Sequence, residues 1–189
     1  MKRFCLNIVC VIVAAAAFTS CDYREYAPAD YPDSVIYLPA AINGIWTIDG
    51  SALPETFIGE GNKSFYDLEP DGKKLHIHLA VVQSGIELGN YEVQLGSAKS
   101  TVNKMLDDGT LPIDVLPLPE SVYKFPESVT LTSASDSAPF DVDVTTSYLK
   151  DPEYLGKRFA LAVKISSEKV ATNPAYETVV IVIDPKFLR

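Results

Sequence analysis

His76 and His78 stand two residues apart, and on an extended chain that spacing puts both imidazoles on one face. A transition metal could be chelated there if a neighbouring strand supplied a third ligand, for which Asp67 and Glu69 are the nominees. Two solvated histidines on a polar sheet face account for the pattern without a metal, and no metal site is expected. The carboxylate pairs Asp141 with Asp143 and Asp67 with Glu69 fall on one face each. A glycosidase needs two carboxylates facing one another across a cleft, one of them kept protonated by burial, and same-face neighbours do not make that arrangement. Gly59, Glu60, Gly61, Asn62, Lys63 and Ser64 look superficially like a phosphate loop, but the glycine before the lysine is missing and strand-forming residues follow where a helix is needed. A hairpin turn is the better reading. With no GxSxG elbow, no zinc motif and no cysteine beyond position 21, the sequence nominates no catalytic residue and no cofactor.

Cys21 carries the clearest chemistry. Lys2 and Arg3 precede an apolar run at 4–18, and Thr19 and Ser20 place small side chains directly before the cysteine. That is the layout of a lipoprotein signal peptide: the thiol of Cys21 takes a diacylglycerol, and cleavage leaves it as the first residue. The run is short for a membrane span. Residues 1–20 are therefore read as the signal peptide and 21–33 as a flexible tether, because DYREYAPADYPD mixes prolines and charges without period. The other cysteines, Cys5 and Cys10, lie inside the leader, so residues 34–189 offer neither a disulfide nor a thiolate.

The net charge of −9 makes nucleic acid an implausible partner, since phosphate neutralisation needs a basic footprint. The length behind Cys21 suits one domain. Short runs rich in β-branched and aromatic residues, punctuated by Gly, Pro, Asn, Asp and Ser, predict strands at 35–38, 44–48, 56–58, 64–68, 74–83, 91–95, 128–132, 140–144, 159–166 and 178–183. In 74–83, Leu75, Ile77, Leu79 and Val81 alternate with His76, His78, Ala80 and Val82, the period of a half-buried strand. Residues 179–183 are apolar on both faces, so that strand should be central. A helix is expected at 98–106, with Val102 and Leu106 on one face and Gly109 as its left-handed cap, and a turn or short helix at 145–154. Ten short strands with hairpin-length links imply an all-β, two-layer antiparallel sandwich.

Residues 101–144 carry a resemblance. A short helix, then Leu118, Pro119, Glu120, Ser121, Val122 and Tyr123, then a Ser/Thr-alternating strand, a small polar turn and a paired Val strand resemble a Bacteroidota surface-lipoprotein family known only as a domain of unknown function. The opening Ser34, Val35, Ile36, Tyr37, Leu38 and Pro39, and the strands at 158–166 and 177–183, fit the same layout. The resemblance implies an immunoglobulin-like sandwich over 34–189 as a single domain. Such domains often open larger surface lipoproteins associated with glycan uptake or adhesion.

Three further expectations follow. An aromatic platform could stack on sugar faces, with Trp46, Tyr66 and Tyr123 as candidate glycan contacts, although a lone tryptophan in a sandwich more often belongs to the core. Asp33, Ser34 and Val35, and Asp136, Ser137 and Ala138, match a three-residue O-glycosylation pattern similar to that of gut Bacteroidota, making Ser34 and Ser137 candidate acceptors. The resemblance and Cys21 together imply a non-enzymatic protein anchored to the outer membrane through lipid, at the cell surface rather than the periplasmic face. Its expected partner is extracellular polysaccharide or an outer-membrane uptake complex. The alternative is a structural or adhesin-like accessory subunit contacting a partner protein through a sheet edge or an exposed apolar patch.

Overall fold

The computed structural model describes residues 33–51, 65–85 and 88–189. The lipobox ending at Cys21, the tether up to residue 32, the strand expected at 56–58 and the turn at 59–64 lie outside the described residues.

The described chain is a β-sandwich. One sheet has the order β11 (Ala171–Thr172), β1 (Val35–Tyr37), β4 (Lys74–Ser84), β9 (Ser137–Thr145), β7 (Tyr123–Lys124), with β3 (Tyr66–Leu68) also paired to β4. The other runs β2 (Ile45–Ile48), β12 (Thr178–Ile183), β10 (Arg158–Ser166), β5 (Tyr91–Ser97), β8 (Ser128–Leu131), with β6 (Val115–Pro117) also paired to β10. The long central pairings are antiparallel, as the alternation implied. Three short pairings add to this antiparallel frame: β1 with β11, β2 with β12 and β6 with β10 pair in parallel.

Alternation builds the core. Leu75, Ile77, Leu79 and Val81 of β4 and Ala138, Phe140, Val142 and Val144 of β9 all point inward. They meet Phe159, Leu161, Val163 and Ile165 of β10 and Val179, Ile181 and Ile183 of β12 from the facing sheet. Removal of each Val, Leu, Ile or Phe side chain among them from water is worth about 1.5–3 kcal/mol.

Strands β10 and β12 are buried on their second face as well, because α1 (Lys99–Asp107) lies across it. The outward residues there are Ala160, Ala162, Val180 and Val182, which pack with Val102, Leu111 and Val115 into a second, smaller core. Alanines on β10 let the helix approach closely. Gly109, at φ +76°, follows the helix end and donates its N–H to the Leu106 carbonyl at 3.3 Å. The short helix expected at 145–154 appears as α2 (Thr146–Leu149) and a 3-10 turn at Pro152–Tyr154. Among the described residues, no helix is long and apolar enough to cross a membrane.

Candidate functional site

The register of three strands assembles the site. Strand β4 lies between β3 and β9, with His76 opposite Asp67 on one side and Asp143 on the other, while His78 stands opposite Asp141. The core pattern of β4 turns Leu75, Ile77 and Leu79 inward, so His76 and His78 must face out. By the same alternation Asp141 and Asp143 project from β9 beside them.

Each imidazole is held between two carboxylates. His76 Nδ1 is 2.7 Å from Asp143 Oδ1, and its Nε2 is 3.3 Å from Glu69 Oε1. His78 Nδ1 is 2.7 Å from Asp141 Oδ1, and its Nε2 is 3.1 Å from Asp67 Oδ2. The histidine side chains keep only 23% and 18% of their surface exposed, so they are not the freely solvated pair that the sequence pattern favoured. The reason is non-local, because their partners arrive from strands that the sequence does not pair. The hydrogen bond that His76 donates to Asp143 holds its pKa above the ordinary value against the opposing effect of partial burial, and the charges of Asp143, Asp67 and Glu69 add to the rise. Among the described residues, no group of three or more His, Cys, Asp or Glu side chains is arranged to hold a metal ion.

Beside this ladder lies an open groove of about 370 Å³, lined by His76, Asp141, Asp143, Lys124, Phe125 and Pro126. Strand β7 brings Lys124 opposite Asp143, and the chain then carries Phe125 and Pro126 to the groove wall. The half-buried Phe125 ring stacks on Tyr123 at 6.0 Å between centroids, with the planes inclined by 20°. Histidine takes one oxygen of each aspartate, and Oδ2 of both carboxylates has no protein donor among the described residues. The groove thus sets an aromatic face beside two oriented hydrogen-bond acceptors and a lysine.

The aromatic residues singled out from the sequence lie elsewhere. Tyr123 is inside the sandwich at 6% exposure, its hydroxyl paired with Ser97 Oγ at 2.8 Å, so it backs the groove through Phe125 and presents no face to solvent. Trp46, on β2, is half-buried against the core and meets Phe65 edge-on at 5.5 Å. Tyr66 packs 5.9 Å from Phe187, and its hydroxyl donates to the Ser51 carbonyl at 3.2 Å. Trp46 and Tyr66 therefore line one side of the sandwich, apart from the groove-lining residues. Ser34 is half-buried just before β1, and Ser137 is half-buried at the start of β9, paired with Val82. Phe125 and Lys124 went unnoticed in the sequence; the one available signal was the polar–aromatic–proline order of Lys124, Phe125 and Pro126 after an inward tyrosine.

Comparison with known proteins places this fold. Residues 34–172 match the model of a family described as a "-like, N-terminal domain". No curated protein matches the chain. Among solved structures, a candidate carbohydrate binding protein from Bacteroides ovatus superposes with a TM-score of 0.56 at 12% identity, over 79% of this chain and 36% of that one. An auxiliary nutrient binding protein from Bacteroides thetaiotaomicron gives 0.51 at 16% identity, over 74% and 43%. A multidomain protein from Bacteroides ovatus that includes a domain of unknown function gives 0.51 at 15%, over 78% and 44%. The chain spans less than half the length of each of these proteins. At such identities the likeness is one of fold.

Proposed function

The chain belongs to this family of N-terminal domains, matched over residues 34–172, and from that premise we propose that it is a non-enzymatic, lipid-anchored envelope protein that binds extracellular polysaccharide and presents it to a glycan-uptake system. The observation that carries the reading is the groove, where the Phe125 ring lies beside Asp141 and Asp143, each oriented by a histidine. A sugar ring offers an apolar C–H face and a rim of hydroxyl donors, which this pairing of ring and carboxylates complements. Cys21 supplies the membrane anchor, at the outer membrane and facing the cell exterior. Solved proteins of this fold described as carbohydrate or nutrient binding support the reading.

Affinity electrophoresis and calorimetry across a polysaccharide panel test it. Retardation by at least one polysaccharide is expected, with Phe125→Ala weakening it about tenfold, the loss of one aromatic stacking contact. No binding across the panel would overturn it.

A second reading, an accessory subunit contacting a partner protein, is favoured by Ile113 and Leu155. They are 97% and 72% exposed and sit just ahead of the parallel strands β6 and β10, at one end of the sandwich. A stoichiometric protein partner from native membranes, without sugar affinity, would select this reading.

A further inference from the structure

All four ring nitrogens of His76 and His78 lie near a carboxylate oxygen: three are hydrogen-bonded, at 2.7 Å for His76 Nδ1 and at 2.7 and 3.1 Å for His78, and the fourth, His76 Nε2, makes an ion-pair contact with Glu69 at 3.3 Å. A neutral imidazole has a single N–H, so in either tautomer one nitrogen lone pair of each ring would point at a carboxylate lone pair. Only an imidazolium gives a donor at every one of the four contacts. The two Nδ1 contacts run to β9 and the two Nε2 contacts to Asp67 of β3 and to Glu69, which follows it, so the protonated rings tie three segments together. Strand β3 is three residues long and, among the described strands, is paired to β4. Its flanking backbone bonds to β4 run from Glu69 N–H to the Lys74 carbonyl at 2.9 Å and from His78 N–H to the Phe65 carbonyl at 2.8 Å. The remaining charges about the rings are Lys74 of β4, 3.5 Å from Glu69, and Lys124 of β7, opposite Asp143.

We propose that His76, with His78 beside it, forms a proton-operated clasp that holds β3 on the sheet while the His76 ring is protonated and loosens it when that ring is left with one N–H. A base whose affinity for protons is higher in the folded protein contributes stability that is present below its unfolded pKa and is lost as pH rises through its folded one. His76 is such a base, since the Asp143 hydrogen bond raises its pKa. The clasp therefore opens on the alkaline side. It operates whatever the groove binds.

Amide hydrogen exchange on the full chain, corrected for intrinsic rates, reads the clasp at the Glu69 and His78 amides, with the Val163 and Ile165 amides of β10 as an internal control. Protection at Glu69 and His78 is expected to fall about tenfold or more between about pH 6 and about pH 9 while β10 holds its protection. The double variant His76→Gln with His78→Gln should show low, pH-independent protection at the same amide positions. Should that variant lose β10 protection and so fail to fold, Asp143→Asn decides, because it should move the His76 titration, followed by NMR, toward that of a free histidine. Equal β3 protection at both pH values, or a His76 titration unmoved by Asp143→Asn, overturns the proposal.

Discussion

Gln83 and Gly89 close a ring of two hydrogen bonds: the Gly89 N–H donates to Gln83 Oε1 at 3.1 Å, and Gln83 Nε2 donates to the Gly89 carbonyl at 3.4 Å. The same Nε2 reaches the carbonyls of Thr132 and Ser135 at 3.2 Å each, so one side chain, 2% exposed, satisfies the backbone of two separate turns. Gln83 continues the inward face of β4, where every earlier position is aliphatic.

Replacing it with a similar-sized apolar residue tests whether the position is polar by necessity. Gln83→Leu leaves the Gly89 N–H and three carbonyls without their partner, and stability should drop by about 2–3 kcal/mol, read as a shift in urea midpoint at unchanged m. Gln83→Glu should be worse, since a carboxylate cannot donate to the three carbonyls.

Asp114 and Arg158 join the loop before β6 to the start of β10 through a pair of hydrogen bonds at 2.7 and 2.8 Å. The guanidinium holds the Asp114 carboxyl below its ordinary pKa. A depressed carboxylate contributes stability that is present above its unfolded pKa and disappears as pH falls through the folded one. Asp114→Asn should therefore flatten the acid limb of the stability profile below about pH 4 while costing about 1 kcal/mol or less at neutral pH, the pair being partly exposed. Thermal melts from acid to neutral pH check both.

The second core sets a size limit on β10. Ala162 is 1% exposed beneath α1, and its carbonyl accepts the Ala98 N–H at 2.9 Å at the helix entry. Ala162→Leu should cost about 1–3 kcal/mol by forcing the helix off the sheet, with greater loss of amide protection in α1 than in β4. Lys164→Leu, on the same strand at an exposed position, should change stability far less.

Cys21→Ser should release an otherwise folded protein from the membrane. Fractionation of expressing cells together with palmitate labelling checks this, and a variant that stays in the membrane fraction without label would remove the anchor from the proposed function.

The long strands were legible because burial of one face forces a period of two, which β4 and β9 carry in their own residues, while β12 shows itself as an unbroken apolar run buried on both faces. Strands β6, β7 and β11 were not. They span two or three residues, too few to show a period, and β6 ends in proline. The shared face of His76 and His78 could be read from spacing alone, whereas their pairing with Asp143 and Asp141 depends on register between strands more than sixty residues apart. Tyr123 and Phe125 show the same limit. Tyr123 lies on β7 and is buried while Phe125 follows the strand and is only half-buried, a difference set by where β7 ends.

The parallel pairings have a consequence for how the chain can be made. Strand β2 takes its place beside β12, and β1, paired with β4 on one side, is completed on the other by β11, so the first strands gain part of their pairing only from nearly the last ones synthesised. An order of assembly so dominated by distant partners is slow, because loop closure precedes the contacts that reward it. For an exported protein of the kind proposed, such lateness is useful: β1 and β2 lack their parallel partners until β11 and β12 arrive, which keeps the polypeptide threadable for longer.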